Sequence, residues 1–314
     1  MYSAHGGALD PPSASSILGS LNLSWLSLAL LLAAGLYVAG VVSMHRRGDR
    51  WPLSRTLLFL GPGLGSIALV TMTGVDDYDT VLLSVHMVQH MILSMVAPIF
   101  LALGAPVTLA LRTLPRRPRA VLLSVLHSRI ARVLAFPLVA YGLFVVTPFA
   151  LYFTGLYELT MRSELIHELT HAHFITVGCL FFWPLLGIDP LPGRWPYPGR
   201  ALLMFLSTPF HTVLGLTIMQ SKTLVGGGWY PSLGLTWVNP FDDQEIAGGI
   251  LWAGGEIVSV TMLAVLVVQW MRHAEREGRR IDRELDRQEA EAAAAGANGT
   301  IPSAAATRRG AASP

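Results

Sequence analysis

Charged residues are scarce in this sequence. Only 13% of its 314 residues are charged, whereas 52% are hydrophobic. A soluble domain has about a quarter of its residues charged, so the composition argues against an ordinary soluble protein and requires long apolar segments. The formal net charge is only +2, which is too small to indicate a nucleic-acid partner.

Cysteine is almost absent as well. Cys179 is the single cysteine of the chain, so neither an intrachain disulfide nor a Cys-x-x-Cys motif can form. It lies in an apolar stretch, where we expect it to pack as a small hydrophobic residue. Any chemistry with a soft metal must therefore depend on histidine and methionine.

Seven apolar stretches remain, each close to the roughly 20 helical residues that cross a bilayer. The predicted spans are Leu23–Ser43, Thr56–Gly74, Val81–Leu103, Val133–Phe153, Glu164–Gly187, Ala201–Ser221 and Ile246–Met271. The fold class is therefore predicted to be all-α, an integral membrane bundle of about seven helices within residues 23–272. Residues 1–22 are expected to form a flexible extracytoplasmic tail, and residues 273–314 a charged, then alanine-rich, mostly disordered cytoplasmic tail.

Arginine is concentrated on one side of this predicted bundle. It lies in the loops after spans one, three and five and in the segment after span seven, while the opposite loops hold only Arg162 and Lys222. Positive charge favours the cytoplasmic side, so the amino terminus is predicted outside and the carboxyl terminus in the cytoplasm. Residues 106–132 mix apolar residues with arginines and are expected to include a helix held at the interface by membrane lipids.

Histidines lie inside two predicted spans at helical spacing. His86 and His90 in span three, and His167 and His171 in span five, are each four residues apart, so each pair shares one helix face. An ionisable side chain in hydrocarbon costs several kcal/mol and marks a functional site. We therefore predict these histidines as the principal ligands of a metal ion in the outer half of the membrane.

Further candidates lie at a similar predicted depth. They are His173, His211, Met87 and Met91 as alternate ligands, and Glu256 as a residue that orients a ligand. Spans three, five, six and seven are expected to surround a polar pocket that opens outward. Acidic residues of the outer loops are expected to form a solvated rim, namely Asp76, Asp77, Asp79, Asp242 and Asp243.

The ligand types narrow the choice of metal. Imidazole and thioether ligands without thiols favour copper. Haem is an alternative cofactor, because paired histidines on facing helices can supply both of its axial ligands. The segment His167-Glu168-x-x-His171 also matches the zinc metalloprotease pattern, in which the glutamate is the general base, so an intramembrane zinc protease is a further alternative.

One motif resembles a known family. The run His86-Met87-Val88-Gln89-His90-Met91, followed by Val96-Ala97-Pro98 and by Leu103-Gly104-Ala105-Pro106, resembles the multi-span CtaG-type cytochrome c oxidase assembly factors, and so do Pro209-Phe210-His211 and residues 242–256. The resemblance covers about residues 25–272. It implies a non-catalytic protein of the bacterial plasma membrane that a functional haem-copper oxidase needs and that supplies copper to the catalytic subunit.

Overall fold

The computed structural model describes residues 10–191 and 195–297, and every regular element within these ranges is a helix. In chain order the helices are α1 (Ala14–Gly19), α2 (Trp25–Arg46), α3 (Leu53–Thr71), α4 (Gly74–Asp79), α5 (Leu83–Leu103), α6 (Pro106–Thr113), α7 (Arg116–Leu126), α8 (Arg129–Leu134), α9 (Pro137–Tyr152), α10 (Leu156–Arg162), α11 (Glu164–Leu186), α12 (Tyr197–Gln220), α13 (Trp229–Ser232) and α14 (Pro240–Ala297).

Six of these helices are long and apolar enough to cross a membrane, counted over the described residues: α2, α3, α5, α11, α12 and α14. Helices α9 and α10 qualify together as a seventh span that is bent by 71°. The prediction of an all-α membrane bundle of about seven spans is thus confirmed. The predicted fourth span, Val133–Phe153, corresponds to α9, which begins later, at Pro137, and ends at Tyr152; the bend into α10 beyond it was not predicted.

Two of the spans change their helical register. A π-helical turn runs over Phe59–Gly65 in α3 and another over Ile92–Val96 in α5. Pro62 lies within the first and Pro98 just beyond the second, and proline removes a backbone donor and displaces the preceding turn. The turn in α5 begins directly after Met91, so the histidine-bearing part of α5 ends where the helix widens.

Helices α5 and α11 approach each other closely at one glycine. A Cβ atom built on Gly178 of α11 would lie 2.2 Å from the carbonyl oxygen of Ser94 in α5. Small residues at such a point allow two backbones to pack in direct contact. This contact sets the two histidine-bearing helices face to face, which is what positions the site described below.

The chain divides into two compact units, and the second begins at Val267. Within this second unit, α14 continues as a helix to Ala297, although the sequence suggested mostly disorder from residue 273. Intrahelical ion pairs support the helix, with Arg279 3.5 Å from Glu275 and Arg287 2.8 Å from Glu291. The rest of the predicted cytoplasmic tail, residues 298–314, and residues 1–9 of the predicted outer tail lie outside the described residues.

Candidate metal centre

Four histidines meet between α5 and α11. The ring centroids of His86 and His90 are 3.9 Å apart and those of His167 and His171 are 4.4 Å apart. Across the helix interface, His86 lies 5.8 Å from His167 and His90 lies 5.9 Å from His171. All four side chains are buried, with at most 6% of their surface exposed. We call these four residues the histidine cluster.

Asp79, the last residue of α4, completes this cluster. Its Oδ2 atom lies 2.7 Å from Nε2 of His167, 3.6 Å from Nε2 of His171 and 3.9 Å from Nδ1 of His86. Ligand atoms around a tetrahedral ion with bonds of about 2.0 Å lie about 3.3 Å apart. Asp79, His167 and His171 are therefore close to the arrangement that a single metal ion requires.

The expectation of a solvated acidic rim is wrong for two residues. Asp79 is fully buried, and Asp243 is 6% exposed and accepts a hydrogen bond from the Ser84 hydroxyl. Asp77 and Asp242 are exposed, as expected, and Asp76 is half-buried. The α4 helix turns Asp79 inward, and a buried carboxylate then needs cationic or hydrogen-bonding partners, which the histidines supply.

The electrostatics of this carboxylate follow from those partners. Burial opposes ionisation, but the interactions with His167 and His171 outweigh it and hold the pKa of Asp79 well below its usual range. Burial and the neighbouring Asp79 raise the pKa of Asp76 to about 7. Asp79 is therefore an ionised carboxylate at neutral pH, whereas Asp76 titrates near neutrality.

Several buried polar atoms of the cluster lack a hydrogen-bond partner among the described residues. They are both ring nitrogens of His86, Nε2 of His90, Nε2 of His171, Nδ1 of His167 and Oδ1 of Asp79. Each unpartnered buried group costs about 1–3 kcal/mol, so such a concentration requires compensation. A bound cation would compensate the atoms that carry lone pairs, and imidazole with carboxylate suits copper, zinc, iron or nickel.

Two tyrosines that the sequence argument missed cover the cluster. The Tyr152 hydroxyl lies 2.8 Å from Nδ1 of His90 and 3.5 Å from Sδ of Met87. The ring of Tyr157 packs edge-on against His86 at 5.0 Å, and its hydroxyl is hydrogen-bonded to Tyr230. Both tyrosines come from the bend between α9 and α10. The cluster is consequently enclosed, in contrast to the outward-opening pocket that was predicted.

The other predicted site residues lie at varied distances from the cluster. His211, Met87 and Met91 line a cavity of about 20 Å³ together with His90. Glu256 accepts a hydrogen bond of 2.6 Å from the Thr212 hydroxyl, and no hydrogen bond from Glu256 to a histidine occurs in the described part of the chain. His173 is exposed, and its Nε2 atom lies 3.1 Å from the Thr147 hydroxyl, so it does not join the cluster.

Comparison with known proteins identifies the family. Residues 35–273 match the cytochrome c oxidase caa3 assembly factor family, Caa3_CtaG. The chain belongs to this family. It is 41% identical over 265 residues to uncharacterised proteins of Mycobacterium bovis and Mycobacterium tuberculosis, and 38% identical over 268 residues to one of Mycobacterium leprae. Each match covers 82% of this chain but 40% of the relative, so the chain spans less than half the length of these proteins. No solved structure matches the chain.

The metalloprotease-like pattern of this caa3 assembly factor family member lies at the candidate metal centre. His167 and His171 belong to the histidine cluster, and Asp79 adds a carboxylate beside them. Glu168 follows His167 by one residue on α11 and is half-buried. The pattern thus contributes two histidines to a candidate metal centre, whichever chemistry that centre performs.

Proposed function

We propose that this protein binds copper at Asp79 and the histidine cluster and delivers it to the catalytic subunit of a haem-copper oxidase during assembly. The observation that carries the proposal is the group of buried, unpartnered donor atoms between α4, α5 and α11. Copper is the cargo here, and the protein is not an enzyme. Membership of the caa3 assembly factor family makes an oxidase the expected client.

The packing of the cluster suits a transferable ion. The ring centroids of neighbouring imidazoles lie between 3.9 and 5.9 Å apart. A bound ion can therefore gain a new ligand before it loses an old one. The ionised Asp79 offsets part of the charge that copper carries into a buried site. A carrier needs such exchangeable ligands, whereas a structural site holds its metal in a closed set.

The arginine asymmetry supports an orientation in which α4 and the cluster lie toward the outer side of a bacterial plasma membrane. In this orientation the amino terminus is outside, and α14 leads into the cytoplasm. Copper then enters from the oxidising side, where the chain's thiol-free donor set suits it.

Haem suits this packing poorly. Each of the four rings packs against two of the others, and the cavity beside His90 measures about 20 Å³. A cofactor-sized pocket has a volume on the order of 300–1,000 Å³. A porphyrin would have to separate α5 from α11, which Gly178 holds in contact with Ser94.

A zinc peptidase is the second candidate, because Asp79 supplies the third protein ligand that a catalytic zinc requires beside His167 and His171. Glu168 would then be the general base. The enclosure of the cluster disfavours this function, since a peptide substrate must reach Asp79, which is fully buried.

The proposal is tested by complementing cells of the native host that lack this protein. We expect His171→Ala to leave the oxidase with its haem but without its copper, and therefore inactive. His173→Ala is the matched control on the same helix, because His173 is exposed and outside the cluster. Full oxidase copper in the His171→Ala strain, at normal levels of the inserted protein, would refute copper delivery.

A further inference from the structure

We infer that a second metal subsite, selective for Cu(I), adjoins the histidine cluster. It is formed by His90, His211, Met87 and Met91, and we call it the thioether subsite. The inference rests on the proposed function and deepens it, since it specifies the oxidation state of copper that this part of the protein holds.

The thioether subsite is a small cavity between helices. His90, Met87 and Met91 come from α5 and His211 from α12, and these residues line a space of about 20 Å³. A cavity of about 10–15 Å³ by this measure accepts one water molecule, so the space is of the size of a single ion. Most of the remaining wall is apolar, including Phe144, Phe174, Val177 and Leu251.

One hydrogen bond determines which ring nitrogen of His211 has the free lone pair. Its Nδ1 atom lies 3.3 Å from the carbonyl oxygen of Ser207. A carbonyl oxygen accepts hydrogen bonds and donates none, so Nδ1 carries the proton. The lone pair of the neutral ring is then on Nε2, the nitrogen that remains available for a metal.

Tyr152 occupies one ring nitrogen of His90. Its hydroxyl lies 2.8 Å from Nδ1 of His90 and 3.5 Å from Sδ of Met87. Because the hydroxyl engages Nδ1 in either tautomer, Nε2 is the nitrogen of His90 that is left for a metal, and it is buried without a partner among the described residues. Two imidazoles, each with Nδ1 engaged, thus line one cavity with two thioethers.

The two subsites differ in the charge of their ligands. The carboxylate of Asp79 lies beside the histidine cluster, whereas no carboxylate of the described residues lines the cavity of the thioether subsite. Uncharged imidazole and thioether ligands in an apolar wall favour a soft monovalent ion over a divalent ion. His90 belongs to both sets, so copper can pass between the subsites while it keeps one ligand.

The two subsites are distinguished by counting ions bound to the purified full-length protein in detergent. One sample is loaded with Cu(I) under anaerobic, reducing conditions, and another with Co(II) as a divalent probe of the histidine cluster. We expect His211→Ala to lower bound Cu(I) by about one ion per chain and to leave Co(II) unchanged. Asp79→Asn should lower Co(II), and His173→Ala should change neither.

The sulfur ligands are tested by a second readout. Copper K-edge X-ray absorption of the Cu(I)-loaded protein should show sulfur scattering, and the double variant Met87→Leu, Met91→Leu should lose it. Leucine conserves the volume of methionine, so the fold should be retained. If sulfur scattering is absent in the unsubstituted protein, or if His211→Ala and the double variant keep all Cu(I), the thioether subsite is refuted. Asp79-dependent copper binding would then still support the proposed function, and its absence would refute both.

Discussion

Asp79→Asn is the substitution with the sharpest expected effect on metal binding. Asparagine keeps the size of the side chain and an oxygen that can accept from His167, but it removes the negative charge. The Asp79 carboxylate is within 2.7 to 3.9 Å of three members of the histidine cluster, so in the proposed copper site it would be a direct ligand.

The size of the effect follows from this position. Removing a group that merely supports a metal ligand typically costs 10- to 100-fold in affinity. A direct, charged ligand must exceed that range, so copper affinity should fall at least about 100-fold, or about 2.7 kcal/mol. In the metal-free protein the substitution replaces a charged hydrogen bond by a neutral one, which lowers the free energy of unfolding by about 1–2 kcal/mol. The variant should therefore still fold.

The assay is competition between purified protein and a copper chelator of known affinity, together with a thermal unfolding curve without metal. Asp77→Asn is the matched control, because it removes the same charge two residues away on an exposed side chain that accepts a hydrogen bond from Asn22. If Asp79→Asn and Asp77→Asn bind copper equally well, Asp79 is not a ligand and the reasoning fails.

Four other outcomes are expected. Glu168→Gln should leave oxidase assembly near normal, and loss of function at unchanged metal content would instead favour the peptidase. In the metal-free protein, the pKa of Asp76 is about 7 in the folded state and near 4 in the unfolded state. The free energy of unfolding therefore falls as the pH rises between these two values, by at most about 4 kcal/mol. Asp76→Asn should therefore raise the melting temperature at pH 8 but not at pH 4, and an equal effect at both values would contradict this cause. Gly178→Ala should destabilise the protein by about 1–3 kcal/mol, because the new Cβ atom would meet the Ser94 carbonyl oxygen. Gly142→Ala should be tolerated, because a Cβ atom there meets nothing within 4 Å. Equal melting temperatures of the two variants would refute the contact. A cysteine at Thr223 should react with an impermeant reagent in intact cells and one at Glu289 should not, and the reverse pattern would overturn the orientation.

Hydropathy and helical spacing were sufficient for the bundle and for the pairing of the histidines. Each apolar stretch is about as long as a helix that crosses a membrane, and the i, i+4 spacing puts both histidines of a pair on one helix face. The predicted fourth span ends at Phe153, close to the observed end of α9 at Tyr152, but the bend into the short helix α10 was not predicted. Hydropathy indicates which residues can lie in a membrane, but it does not indicate where the chain bends.

Asp79 and Tyr152 could not be assigned from the sequence because their roles depend on contacts between distant segments. Asp79 meets His167 across 88 residues, and Tyr152 meets His90 across 62. The run Asp76-Asp77-Tyr78-Asp79 read as a polar loop, since acidic residues are rarely buried unless paired. Its position directly before a histidine-bearing span was the available signal, because a buried histidine cluster favours a nearby carboxylate.

Copper content per chain tests the central claim most directly. The full-length protein would be purified in detergent, equilibrated with copper, freed of unbound metal and analysed by mass spectrometry. We predict that the unsubstituted protein and the His173→Ala variant retain the same amount of copper, whereas His171→Ala loses the copper of the histidine cluster, about one ion per chain, while it stays folded and membrane-inserted. Equal copper in all three proteins, or none in the unsubstituted protein, would contradict the assignment of Asp79 and the histidine cluster as a copper site.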